Sequence, residues 1–137
     1  MINNEKYFPM YQDLAVRVSQ ESYAKRKQVG CVILSKSGMI SVGMNGTASG
    51  MPNICEHEDG TTHDFVIHAE QNALHKMARE GVATSGSIVF VTLSPCVACA
   101  KSLIGVGVSA VYYRDHHRES AIQHLRDMDV VVKQWSE

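Results

Sequence analysis

At 137 residues, with 45% hydrophobic and 20% charged side chains, the chain has the size and balance of one water-soluble globular domain rather than a disordered or fibrous protein. Thirteen Lys and Arg against fourteen Asp and Glu leave a formal net charge of −1, which argues against a nucleic-acid partner, since phosphate neutralisation calls for a basic excess or stripe. No apolar run approaches the ~18 residues a membrane helix needs, and the start MINNEKYFPMYQDL lacks a basic segment followed by an apolar one, so a cytoplasmic protein without a secretory signal is expected.

In chain order, Pro9 suits a helix start, and Leu14, Ala15, Val18 and Ser19 share a face at helical spacing, so a first helix is expected to run to about Tyr23. VGCVIL (29–34) reads as a buried strand, Ser37-Gly38 as a turn, and Met39 to Val42 as the returning strand of a hairpin. From Gly43 to Phe65 the chain is rich in Gly, Asn, Asp, Thr and His. A loop that long inside a compact domain is usually functional or disordered. His68 to Glu80 reads as a helix stopped by Gly81, and SIVFVTL (87–93) as a continuous apolar strand. A short helix over Pro95 to Ile104, a strand over Val108 to Tyr113, a helix over Ser120 to Met128 and a last strand over Val130 to Val132 complete the order α-β-β-α-β-α-β-α-β. Strands alternating with helices in the second half imply crossover connections, hence an α/β fold: a mixed sheet with helices on both faces, as one domain over 1–137.

The chemistry is concentrated in His68-Ala69-Glu70 and Pro95-Cys96-Val97-Ala98-Cys99. Cys96 and Cys99 lie three apart at a helix start, where their sulfurs can clasp one ion and the helix N-terminus favours thiolates. His68 opens the other helix and can supply a third ligand, leaving the fourth corner of a tetrahedron open for water. Zinc held by three protein ligands lowers the pKa of its water to about 7, making hydroxide available at neutral pH. Glu70 stands two residues past His68, nearly opposite it on a helix seen from the side. That spacing works if the helix points end-on into the site, so that its whole first turn rings the metal. Glu70 can then take a proton from water and pass it on to a ring nitrogen and a departing ammonia. H-x-E with P-C-x-x-C is the signature of zinc nucleobase deaminases. The plainer alternative is a structural zinc completed by Cys55 or His63.

From about residue 13 to 132 the chain resembles the deoxycytidylate deaminases of the cytidine deaminase superfamily, through RKQVGC (26–31), GMNG (43–46), IHAEQNAL (67–74), SPCVACAK (94–101) and YRDHHR (113–118). The resemblance implies a three-layer α-β-α fold on a five-stranded mixed sheet, and deamination of dCMP to dUMP. It also implies a homo-hexamer, activated by dCTP and inhibited by dTTP, each with Mg2+. It makes His68, Cys96 and Cys99 the Zn2+ ligands and Glu70 the proton shuttle, and it sets Asn45 on the sugar, Arg26 near the phosphate, and Ala69, Ser94, His117 and Arg118 around the substrate. Two positions depart from the pattern. His117 stands where a Tyr stacks on the base, and Met44 replaces the Tyr of a loop, Gly43-Met44-Asn45-Gly46, that forms part of the family's triphosphate site, a change that bears on the strength of effector control.

Other features have both a functional and a plain reading. Arg26 between Lys25 and Lys27 can be a solvated surface charge, and Cys55, His57 and His63 can hold a second zinc or belong to a polar loop. Cys31, within an apolar strand, reads as core; Trp135 reads as packing the C-terminal tail; His116 and His117 beside Arg114 and Arg118 form a small basic cluster able to meet a phosphate. The competing activities are the same chemistry on cytidine, guanine, a riboflavin precursor or tRNA adenosine, and a zinc-stabilised nucleotide-binding module without catalysis. The last should lack the carboxylate that Glu70 provides.

Overall fold

A computed structural model describes residues 5–48 and 50–136 of the chain. Helix α1 (Phe8–Ser19) has Pro9 in its first turn, where a missing N–H leaves no hydrogen bond unmade. It ends at Ser19, short of the expected Tyr23. Competing hydrogen bonds stop it: Gln20 and Glu21 donate back to Arg17 and Val18 in a tightened turn, and the Ser22 hydroxyl reaches the carbonyl of Asn45 at 2.7 Å.

Strands β1 (Gly30–Leu34) and β2 (Ile40–Met44) form the hairpin, with register running from Gly30↔Met44 to Leu34↔Ile40. Gly43 and Met44, read from sequence as the start of the loop, are the last two residues of β2. The turn is wider than Ser37-Gly38 alone: Ser35 N–H donates to the Met39 carbonyl, and Gly38 adopts φ 95°. Then come α2 (Ala69–Arg79), β3 (Ile88–Leu93), α3 (Val97–Gly105), β4 (Ala110–Asp115), α4 (Glu119–Asp127) and β5 (Val131–Gln134).

The five strands form one mixed sheet in the order β2-β1-β3-β4-β5. β1 is antiparallel to both neighbours, and β3, β4 and β5 are parallel. Side chains alternate across the sheet. Val32, Leu34, Ile88 and Phe90 face α1, Phe8 and Trp135; Cys31, Ile33, Val89, Val91, Val111 and Val132 face α2, α3 and α4. The sheet is thus covered on both sides, as the uninterrupted apolar runs of β1 and β3 require. Trp135 is buried in the α1-side cluster, and Cys31 is fully enclosed in the other. All four cysteines are free, and among the described residues no helix is long and apolar enough to cross a membrane.

One close approach sets the site. A Cβ on Gly43 would lie 2.3 Å from the Ala69 carbonyl oxygen, so only glycine lets the first turn of α2 rest directly on β2. Gly30 serves α1 in the same way, its missing Cβ standing 2.1 Å from the Ala15 carbonyl oxygen.

Candidate active site

The C-terminal end of β3 runs through Leu93-Ser94-Pro95 into α3, and the end of β4 runs through His116-His117-Arg118 into α4. The start of α2 arrives beside them. Two helix N-termini therefore converge beyond the ends of parallel strands, where open α/β sheets form their clefts.

His68 is the N-cap of α2, with extended backbone (φ −69°, ψ 155°), and its N–H donates to Gln71 Oε1 at 3.1 Å. Cys96 is the N-cap of α3, and its sulfur accepts the Cys99 N–H at 3.5 Å. The two helix ends bring His68 Nδ1 to 3.2 Å from Cys99 Sγ and 3.4 Å from Cys96 Sγ. All three candidate ligand atoms lie within 4.8 Å of one another. Zn–N and Zn–S bonds of the usual lengths, meeting at a tetrahedral angle, span about 3.5 Å between nitrogen and sulfur. The spacing fits zinc.

The electrostatics point the same way. Burial, followed by the charges of Glu70 and Cys96, pushes the Cys99 thiol far above its ordinary range. Glu70 is only 4% exposed, and burial raises its carboxyl to about 7. The Cys31 thiol of β1 is raised by burial and then by Glu70. Acidic groups that obstruct one another's ionisation in this way are surroundings in which a bound divalent cation would favour the charged forms. α2 meets the site end-on: Ala69 and Glu70 of its first turn are both buried, and both line the cavity beside His68.

That cavity encloses about 390 Å³, within the usual range for small-ligand sites. Of the residues expected around a substrate, Arg26, Asn45, Ala69, Ser94 and His117 line it. Arg118 is not among the lining residues; it is the N-cap of α4. Gly43, Met44 and Gly46 also lie outside the lining, as the strand end and bridge that carry Asn45 inward.

Asn45 is tied on three sides. Its Oδ1 accepts from Val29 N–H and the Ser22 hydroxyl, both at 2.8 Å, and its Nδ2 donates to the Lys27 carbonyl at 2.7 Å. One amide hydrogen remains for a ligand. The Ser94 hydroxyl accepts the His117 N–H at 2.7 Å and so pins the loop after β4 over the cavity. Burial, then the charges of Arg118 and Lys27, lowers the His117 pKa from its ordinary 6.5, favouring neutral imidazole. The small basic cluster read from sequence is divided: His116 pairs with Glu119 at 2.7 Å, Arg114 bonds Asp115, and His117 alone of the two histidines lines the cavity.

The long loop is built rather than open. Residues 55–63 form a small hairpin with a Glu56↔Thr62 bridge, and a Gly46↔Ile67 bridge closes the loop at its base. Cys55 is 2% exposed, while the His57 and His63 rings touch with centroids 3.8 Å apart and planes tilted by 47°. Among the described residues only His68, Cys96 and Cys99 form a ligand group, so neither Cys55 nor His63 completes that site, and Cys55, His57 and His63 do not make a second one. Lys27, Glu56, Thr62 and Val66 also line the cavity, though sequence reasoning gave them no site role. For Glu56 and Thr62 the one legible signal was the length of the polar loop that holds them.

The family described as the cytidine and deoxycytidylate deaminase zinc-binding region matches residues 4–115. A crystal structure of dCMP deaminase from the cyanophage S-TIM5, in complex with dCMP and dUMP, is 42% identical with TM-score 0.89, covering 95% of this chain and 97% of that one. ComE operon protein 2 of Bacillus subtilis is 32% identical over 118 residues, with 84% of this chain and 60% of that protein covered. Deoxycytidylate deaminase of Saccharomyces cerevisiae is 27% identical over 137 residues, with 92% and 44% covered. The chain thus spans less than two thirds of the length of these last two relatives.

Proposed function

Because the chain belongs to the family of the cytidine and deoxycytidylate deaminase zinc-binding region, we propose that it catalyses hydrolytic deamination of dCMP, with water consumed and dUMP and ammonia released. The observation that carries this reading is the meeting of His68 Nδ1 with the sulfurs of Cys96 and Cys99 beside the buried carboxyl of Glu70, in a cavity sized for a small ligand.

His68, Cys96 and Cys99 are the residues that would hold zinc. Zinc, when bound, supplies Lewis acidity that makes water a nucleophile at neutral pH. Glu70 takes the proton from the attacking water, delivers it to N3 of the cytosine ring, and carries the next proton to the leaving amine. A carboxyl raised to about 7 suits that double duty, because a group half-ionised near neutral pH both accepts and donates. Asn45 offers its remaining amide hydrogen to a sugar hydroxyl. The neutral His117 imidazole stacks on the base, and Arg26 and Lys27 at the cavity wall meet the phosphate. Similarity to a phage enzyme crystallised with dCMP and dUMP supports this choice of substrate.

The proposal extends to control by dCTP and dTTP with Mg2+, acting on a cytoplasmic hexamer. Support comes from the 43–46 loop: Asn72 Nδ2 donates to the Met44 carbonyl at 2.7 Å, joining that segment to α2, which carries Glu70. The test is ammonia release from dCMP and deoxycytidine, with and without each triphosphate and Mg2+. Preference for dCMP is the expected result; equal turnover of the two substrates defeats the nucleotide reading.

A further inference from the structure

Residues 22–29 connect α1 to β1 without helix or strand, yet they carry Arg26 and Lys27 into the wall of the cavity. An irregular segment holds one conformation only if its backbone groups find partners elsewhere. Asn45 holds the end nearest β1 through Lys27 and Val29. The middle is held by the hairpin of the long loop. Glu56 Oε2 accepts the backbone N–H of Lys25 at 2.9 Å and that of Arg26 at 3.1 Å. Two successive N–H groups converging on one carboxylate oxygen form a small anion nest.

Glu56 is itself well seated. His57 N–H donates to the Thr61 carbonyl and His63 N–H to the Cys55 carbonyl, both at 2.7 Å, and Gly60 turns the hairpin at φ 88°. The buried Cys55 precedes it. A rigid hairpin therefore presents a carboxylate to a segment that has no regular structure of its own.

We propose that Glu56 is a positioning residue for substrate recognition: by clasping the Lys25 and Arg26 amides it sets the basic 26–27 segment at the distance a nucleotide phosphate requires. The inference rests on the reading of the site as a nucleotide deaminase and assigns its substrate selectivity to a contact between two loops. Glu56 needs no contact with substrate. It works through the backbone it holds, and the role of hairpin 55–63 is to carry it.

The sign of the effect separates this role from simple charge. Glu56 is an anion on the wall of a cavity proposed to bind an anion, so removing its charge alone should tighten dCMP binding. Removing its hold on the 25–26 amides should weaken it. The experiment compares wild type, E56A and E56Q at equal zinc content, with steady-state kinetics on dCMP and deoxycytidine. For E56A, KM for dCMP is expected to rise about tenfold or more, kcat to change less than KM, and the preference for dCMP over deoxycytidine to fall by a similar factor. E56Q keeps an acceptor oxygen but loses the charge that strengthens both N–H bonds, so the clasp is weakened rather than kept intact and its KM should lie between those of E56A and wild type. In an R26A background E56A should add less than it does alone, because the two act on one contact.

An unchanged or lowered KM for dCMP in both variants overturns the proposal, as does an equal loss on both substrates. Should E56A not fold, E56Q decides alone: a raised KM supports positioning and an unchanged or lowered KM overturns it. A wild-type enzyme indifferent to the phosphate overturns the nucleotide reading and this inference together. A wild type that prefers dCMP, with variants that keep the full preference, overturns only this one.

Discussion

At the scale of single residues, Glu70 is the group whose surroundings matter most. A carboxylate near the N-terminus of a helix is ordinarily stabilised in its charged form. Here burial outweighs that stabilisation and lifts the carboxyl to about 7. Gln at this position has nearly the same shape but cannot shuttle a proton. Glu70→Gln is therefore expected to lower kcat by about 10²–10⁴, while metal analysis still finds one zinc per chain. Loss of the zinc along with the activity would point instead to a role in holding the site. The H-x-E spacing made Glu70 legible in the sequence. Its burial was not legible, because that depends on the first turn of α2 resting on the sheet, which the bare backbone of Gly43 permits.

Among elements, the interplay of α2 and β2 decides whether the site exists. The first turn of α2 must rest on β2 for His68 to face the two sulfurs, and Gly43 is what permits it. Gly43→Ala would place a methyl group 2.3 Å from the Ala69 carbonyl oxygen and 2.6 Å from Ala73 N. Both are helix backbone atoms, and neither can swing aside. The expected outcome is a loss of about 1–3 kcal/mol in chemical denaturation, as for overpacking elsewhere, with a larger proportional loss of zinc affinity and activity. Full activity with unchanged stability would show that α2 can shift without consequence. In the sequence Gly43 looked like the opening of a flexible loop. Only the register Cys31↔Gly43 and the helix above it reveal a packing requirement.

Across the whole molecule, the metal group sits at the rim while the apolar mass lies on the two faces of the sheet. Removing zinc should therefore loosen the helix starts without unfolding the sheet. With zinc at about one hundred times its Kd, the linkage amounts to about 2.7 kcal/mol, which for a chain of this length corresponds to a fall in Tm of roughly 10 °C. Chelation followed by a thermal scan should show that fall, and added Zn2+ should reverse it. Mg2+ should not, because thiolate ligands favour softer ions. Complete unfolding on chelation would mean that the metal, rather than the sheet, carries the fold.

Hydrophobic runs and short motifs are local properties, and so the sequence alone was sufficient for the order of elements, the mixed α/β sheet, the gathering of His68, Cys96 and Cys99, and the placing of Glu70 in the same cavity. The elements and each half of the cluster rest on residues a few positions apart, where periodicity and helix geometry dictate what a side chain can reach; the meeting of the two halves, 28 positions apart, was implied by the pairing of the two motifs. The end of α1 at Ser19, the absence of Arg118 from the cavity lining, the separation of His116 from His117, and the clasp of Glu56 on residues some thirty positions away were settled only by the tertiary structure. The end of α1 and the clasp depend on hydrogen bonds between segments distant in sequence, while the two histidines part because His116 pairs locally with Glu119 and the His117 N–H goes to Ser94. No local pattern encodes which backbone amide a loop carboxylate will meet once the sheet has brought the two together.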